Sequence, residues 1–171
     1  LGMQERMTLS NMSAEMGSQV GLIAADSITR DYLKSVGVSQ ADIEQCDYFE
    51  TDETADFQRF DFEASQLSPQ VAAPHSPENT KAVSEFAHIK PSVAYIGACT
   101  GAKLVDLRAA AEVLKGRKVA AGVQLMVAPA SAKDQAQAQR EGVMQILTDA
   151  GARVLPNACG ACAGYGGTFE E

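Results

Sequence analysis

The sequence has no tryptophan, 6% aromatic residues, two histidines, and only 14 lysines and arginines against 22 aspartates and glutamates in 171 residues. The positive residues are scattered rather than gathered into a stripe, and the net charge is −8, so neither nucleic acid nor an anionic membrane is an expected partner. No apolar run approaches the roughly 18 to 20 residues needed to cross a bilayer. The opening Leu1-Gly2-Met3-Gln4-Glu5-Arg6 leads into no signal-peptide stretch. Four cysteines are too few for a disulfide-dense scaffold, and the composition is neither collagen-like nor that of a wholly disordered chain. What is present is a 46% hydrophobic fraction, enough to bury the core of one large or two small domains. These features together read as a soluble, cytoplasmic protein. A chain opening on Leu1 instead of Met also fits one that has been processed, renumbered or cut from something longer.

Hydrophobic spacing organises the chain. Ser10 and Asn11 are good caps ahead of Met12, Met16 and Val20, which recur along one helical face. The apolar residues 21–25 read as a strand running into an Asp26-Ser27 cap, after which Ile28, Tyr32, Leu33 and Val36 predict a helix closed by Gly37. A short helix is expected from Gln40 to Cys46, and residues 47–62 are acidic and aromatic, with a period-two hint at Phe60 and Phe62. Pro69, Pro74 and Pro77 prevent a continuous helix and make 67–79 the expected domain boundary, with domains of 1–80 and 81–171. Beyond it, strands at 92–98, 123–128 and from 151 alternate with helices at 103–114 and 131–150. Such alternation implies parallel crossovers and layered α/β domains with mostly parallel sheets.

Three of the four cysteines sit where a strand has just ended: Cys99 after the first of these strands, Cys159 and Cys162 after the third. Loops beyond the carboxyl ends of parallel strands converge on one crevice, so residues distant in sequence can meet there. Their neighbours, Cys99-Thr100-Gly101-Ala102 and Ala158-Cys159-Gly160-Ala161-Cys162-Ala163-Gly164, are small, which lets backbone amides approach a bulky anionic sulfide cluster. Three thiolates would leave one iron of a cubane open as a Lewis acid. Other readings of the same residues are free buried thiols, a zinc site, or a thioredoxin-like redox pair. His75 and His88 lack the usual zinc spacing, and Gly164, Gly166 and Gly167 break the helix that a redox pair would open. Cys46 lies on a polar stretch and is read as an incidental thiol.

The words of the sequence resemble those of the aconitase superfamily, in particular its 3-isopropylmalate dehydratase and homoaconitase large subunits. Tyr95-Ile96-Gly97-Ala98-Cys99-Thr100 with Asp106-Leu107-Arg108, and Asn157-Ala158-Cys159-Gly160-Ala161-Cys162-Ala163-Gly164, are similar to the two cluster-binding motifs. Glu5-Arg6-Met7-Thr8-Leu9-Ser10-Asn11-Met12-Ser13-Ala14-Glu15-Met16-Gly17 resembles the segment that brings an Asn and a Glu to the active site, and Pro74-His75-Ser76-Pro77 also has counterparts. The resemblance covers nearly the whole chain. It implies that Cys99, Cys159 and Cys162 ligate a 4Fe-4S cluster, with Asn11 and Glu15 beside the hydroxyl that leaves. On one helix these two would be i, i+4 partners sharing a face. The implied reaction is dehydration and rehydration of a 2-hydroxy di- or tricarboxylic acid, with isopropylmalate favoured and homocitrate next.

There are departures. Thr100-Gly101-Ala102 stands where the family usually has Thr-Asn and a small or polar residue, and Ala161 stands where Pro is common. Family large subunits are much longer, with catalytic Asp and His before this region, substrate-binding Asn and Arg after it, and a swivelling domain or small subunit closing the site. The chain therefore reads as an internal piece of such a subunit. On its own it is expected neither to turn over substrate nor to hold an intact cluster.

Overall fold

A computed structural model describes residues 1–46 and 50–165, which fall into two compact units, Leu1–Lys90 and Pro91–Glu171. Asp47–Phe49 of the acidic stretch and Gly166 and Gly167 of the glycine-rich tail lie outside the described residues.

In the first unit, α1 spans Met3–Met12 and continues as a 3-10 turn over Ser13–Met16. The helix starts well before the Ser10 and Asn11 expected to cap it. Glu5 Oε2 accepts from the Gly2 amide at 2.6 Å and closes the first turn early, while Met3 and Met7 occupy the half-buried face. Gly17, at φ +78°, ends the 3-10 turn. The Asp26 cap is where the sequence puts it: α2 runs Ser27–Ser35, and Asp26 Oδ1 accepts from the amides of Ile28 and Thr29. Residues 21–25 belong to no strand, because no strand pairs with them among the described residues. The short helix α3 covers Gln40–Gln45 and buries Ile43. Phe60 and Phe62 are exposed and lie outside any strand. Across the proline-rich stretch the chain turns back on itself, pairing β1 (Gln70–Ala72) antiparallel with β2 (Thr80–Ala82).

The second unit is a parallel α/β layer. Strand β3 (Val93–Ile96) leads into the single turn α4 (Ala98–Gly101) and then α5 (Leu104–Leu114). Strand β4 (Gln124–Val127) is followed by α6 (Ala132–Arg140), α7 (Val143–Ala150) and β5 (Arg153–Val154). The expected single helix over 131–150 is thus two. Gly142 takes φ +75° between them, and the Glu141 carboxylate at the break binds the Arg108 guanidinium through two bonds of 2.6 and 2.7 Å. The sheet order is β3-β4-β5, all parallel, with Ile96 beside Val127 and Val127 beside Val154. Helix α5 packs on both α6 and α7, so the helices gather in one layer against the sheet. Leu107, Ala111, Leu125, Val127, Ala138 and Leu147 form the buried layer between sheet and helices. Each large side chain buried there contributes about 1.5 to 3 kcal/mol.

Candidate functional site

The carboxyl end of this sheet carries all three predicted ligands. Cys99 lies in α4, three residues past the last residue of β3, and Cys159 and Cys162 lie in the turn that follows β5. Because β3 and β5 flank β4 in parallel, both cysteine segments leave the sheet at the same edge, about two strand spacings or ~10 Å apart. The connection after β4 runs between them and bonds to each. The Ala130 amide donates to the Ala102 carbonyl at 2.8 Å, and Asn157 Nδ2 donates to the Pro129 carbonyl at 2.9 Å. One two-residue stretch thereby ties the Cys99 segment to the Cys159 segment.

The second segment is a closed turn. The Ala163 amide donates to the Cys159 carbonyl and the Tyr165 amide to the Gly160 carbonyl, each at 2.8 Å. Ala161 is buried while Cys159 and Cys162 on either side of it are exposed, so the turn is held by its alanine and presents its thiols outward. Between this turn and β3 lies a cavity of about 280 Å³ lined by Tyr95, Leu155, Ala158, Gly160, Ala161 and Tyr165.

In chemistry the donor set fits an iron–sulfur cluster: three surface thiols in small-residue turns at one edge of one parallel sheet. Among the described residues no three Cys, His, Asp or Glu side chains form a metal-holding group, these cysteines and both histidines included. Cys46 is a free, exposed thiol in the first unit.

Asn11 and Glu15 belong to the first unit, and both are exposed. Asn11 is in the last turn of α1 and Glu15 in the 3-10 turn after it, so the continuous helix expected to align them is broken between them. Asn11 caps nothing. What fixes this segment is Gly21, whose carbonyl accepts from Ser10 Oγ at 2.5 Å, while Ser13 Oγ donates to the Ser10 carbonyl at 2.7 Å. A Cβ at residue 21 would meet the Ser10 carbonyl oxygen at 2.7 Å, so only glycine allows this approach. The roles of Gly21 and Asn157 escaped the sequence reading. Asn157 offered a signal in its place two residues before Cys159; Gly21 offered none beyond being glycine.

A family model for the aconitase family (aconitate hydratase) matches residues 1–93 and 81–171, and the chain belongs to that family. Among curated relatives it is 40% identical to the 3-isopropylmalate dehydratase large subunit 1 of Archaeoglobus fulgidus, over 99% of this chain and 39% of that protein. It is also 40% identical to the methanogen homoaconitase large subunit of Methanocaldococcus jannaschii, over 96% of this chain and 40% of that protein. A third relative, the 3-isopropylmalate dehydratase large subunit 1 of Pyrococcus furiosus, is 40% identical over 96% of this chain and 38% of that protein. The chain thus spans about two fifths of the length of the relatives it matches.

Proposed function

We propose that this chain is part of the large subunit of a hydro-lyase that isomerises a 2-hydroxy di- or tricarboxylic acid by dehydration and rehydration. 3-Isopropylmalate is the favoured substrate, and homocitrate or an aconitate-type acid the next. The observation that carries the reading is the placement of Cys99, Cys159 and Cys162 at one edge of a parallel sheet in an aconitase-family chain. These three cysteines would hold a 4Fe-4S cluster, which when bound supplies an open iron that acts as a Lewis acid toward the leaving hydroxyl. Asn11 would orient that hydroxyl through its side-chain amide. Glu15 would hold the proton that the hydroxyl oxygen takes as it departs as water and surrenders as water returns at the adjacent carbon. A base from outside this chain removes the proton on that carbon and, on rehydration, delivers a proton to the carbon that lost the hydroxyl, and a small subunit or swivelling domain closes the site. Among the described residues no helix is long and apolar enough to cross a membrane. The cytoplasm, where thiols stay reduced, is the compartment this chemistry suits.

On this reading the chain alone neither turns over substrate nor retains an intact cluster, since its three thiols are exposed. Two measurements test the proposal. Full-length protein with its small subunit and reconstituted cluster is expected to generate the ultraviolet absorbance of an unsaturated acid from isopropylmalate; failure with every 2-hydroxy acid tried defeats the reading. Iron and sulfide analysis of the 171-residue chain after anaerobic reconstitution is expected to fall well short of a full cubane. Stoichiometric zinc without iron, or a two-electron titration of the Cys159 and Cys162 pair, would instead support the zinc or thiol-redox reading.

A further inference from the structure

Tyr95 stands in an unusual relation to the residue two places after it. Along β3, Ala94 and Ile96 pack into the layer between sheet and helices, so alternation turns Tyr95 to the other face. Position 97 projects toward that same face. Side chains two apart on a strand normally stand side by side, yet here the phenol end of Tyr95 fills the space where a Cβ on residue 97 would begin, well under 3.0 Å from it. The backbone of Gly97 is extended, at φ −168° and ψ −175°, a conformation any residue adopts. The nearest atoms a Cβ at 97 would meet all belong to the ring, so it is the ring for which glycine makes room.

The ring that leans over Gly97 leans toward the cysteines. Gly97 precedes α4 and Cys99 lies in its first turn. The cavity described above is lined by Tyr95 together with Ala158, Gly160 and Ala161, the neighbours of Cys159 and Cys162. The residue therefore sits beside the segment of one predicted ligand and shares a cavity with the turn of the other two.

We propose that Tyr95 is a positioning residue, seated by Gly97, that sets the spacing of the Cys99 segment and the Cys159–Cys162 turn and walls the space between them from solvent. The inference rests on the reading that these cysteines hold a cluster. An apolar wall beside such a group controls solvent access to it, and loss of supporting residues around a metal site typically costs about 10- to 100-fold in metal retention.

The test is a double-substitution cycle in the full-length protein, read two ways: the rate of cluster bleaching on exposure to a chelator, and the alkylation rate of the cysteines in the metal-free protein. Gly97→Ala expels the ring and is expected to speed cluster loss about 10-fold or more. Tyr95→Ala is expected to do the same, and Tyr95→Phe, which keeps the ring, to stay much nearer wild type. The combined Gly97→Ala, Tyr95→Ala protein is expected to be no worse than Tyr95→Ala alone, because the added methyl then meets nothing. Fully additive effects, or unchanged bleaching and alkylation in Tyr95→Ala, overturn the proposal. If Gly97→Ala does not fold, the comparison of Tyr95→Ala with Tyr95→Phe decides. If wild-type protein takes up no cluster, the cluster reading has failed, and the alkylation arm still shows whether the pair sets the segments.

Discussion

Arg6 and Asp26 face each other in a two-pronged ion pair, with Nη1 to Oδ1 and Nη2 to Oδ2 both at 2.8 Å. The Arg6 side chain is only 12% exposed, and the same carboxylate caps α2. One Asp therefore joins α1 to the start of α2 and brackets residues 21–25, which Gly21 pins against Ser10. The planar guanidinium matches the carboxylate fork, which Lys could not do. A local cap and a long-range tie are the same group.

The first prediction concerns acid. Hydrogen bonds from Arg6 hold Asp26 at about 2, down from 3.8, and those from Arg108 and Gln137 hold Glu141 at about 2, down from 4.5. A carboxylate with a depressed folded pKa adds stability that is complete above its unfolded value and is lost as pH falls toward the folded one. Thermal midpoints of the full-length protein are expected to fall as pH drops from about 4.5 to about 2, most of this being reached at the low end. Asp26→Asn is expected to lower the midpoint at pH 7 and flatten part of the acid limb. A variant curve parallel to wild type throughout would contradict the assignment.

The second concerns the tie between cysteine segments. Asn157→Ala removes the 2.9 Å bond to the Pro129 carbonyl. The expected cost is about 1 kcal/mol by thermal unfolding, with faster alkylation of Cys159 and Cys162 than of Cys46 relative to wild type. Equal acceleration at all sites would indicate general loosening instead.

Glycines 21 and 101 should behave oppositely. At residue 21 a methyl meets the Ser10 carbonyl at 2.7 Å, and Gly21→Ala is expected to cost about 1 to 3 kcal/mol. Nothing lies within 4 Å of a Cβ at residue 101. Gly101→Asn, which restores the side chain usual in the family, is expected to leave stability within about 0.5 kcal/mol. Chemical denaturation of both variants checks the contrast.

For the proposed proton carrier, Glu15→Gln in the reconstituted full-length enzyme is expected to lower kcat by about 10²- to 10⁴-fold while leaving the visible spectrum of the cluster unchanged. A loss of activity that merely follows loss of iron would remove Glu15 from the chemistry.

Much of this was legible because it is local. An Asp with two free helix amides ahead of it caps a helix in any context, as Asp26 does for α2. The apolar runs that became β3 and β4 could bury only under a layer of helices, and their alternation with helices left parallel crossovers as the simplest connection. The break in 131–150 was hidden for the opposite reason. Gly142 inside an apolar repeat is tolerable in a helix, and the partner of Glu141 at the break is Arg108, far along the chain. Residues 21–25 have a strand's composition, but composition cannot supply the neighbour that makes a strand.

The sequence by itself determined the thiols, their placement after strands, and the family, since each depends on residue identity and order along the chain. The tertiary structure alone decided which backbone ties those thiols together. The bonds from Ala130 to Ala102 and from Asn157 to Pro129 join three segments that meet only because β3, β4 and β5 stack in parallel. The seating of Tyr95 on Gly97 likewise depends on a direction of side-chain lean that no spacing rule contains. Local rules set what each stretch prefers, and contact between distant stretches, which sequence order does not encode locally, sets what they can do jointly.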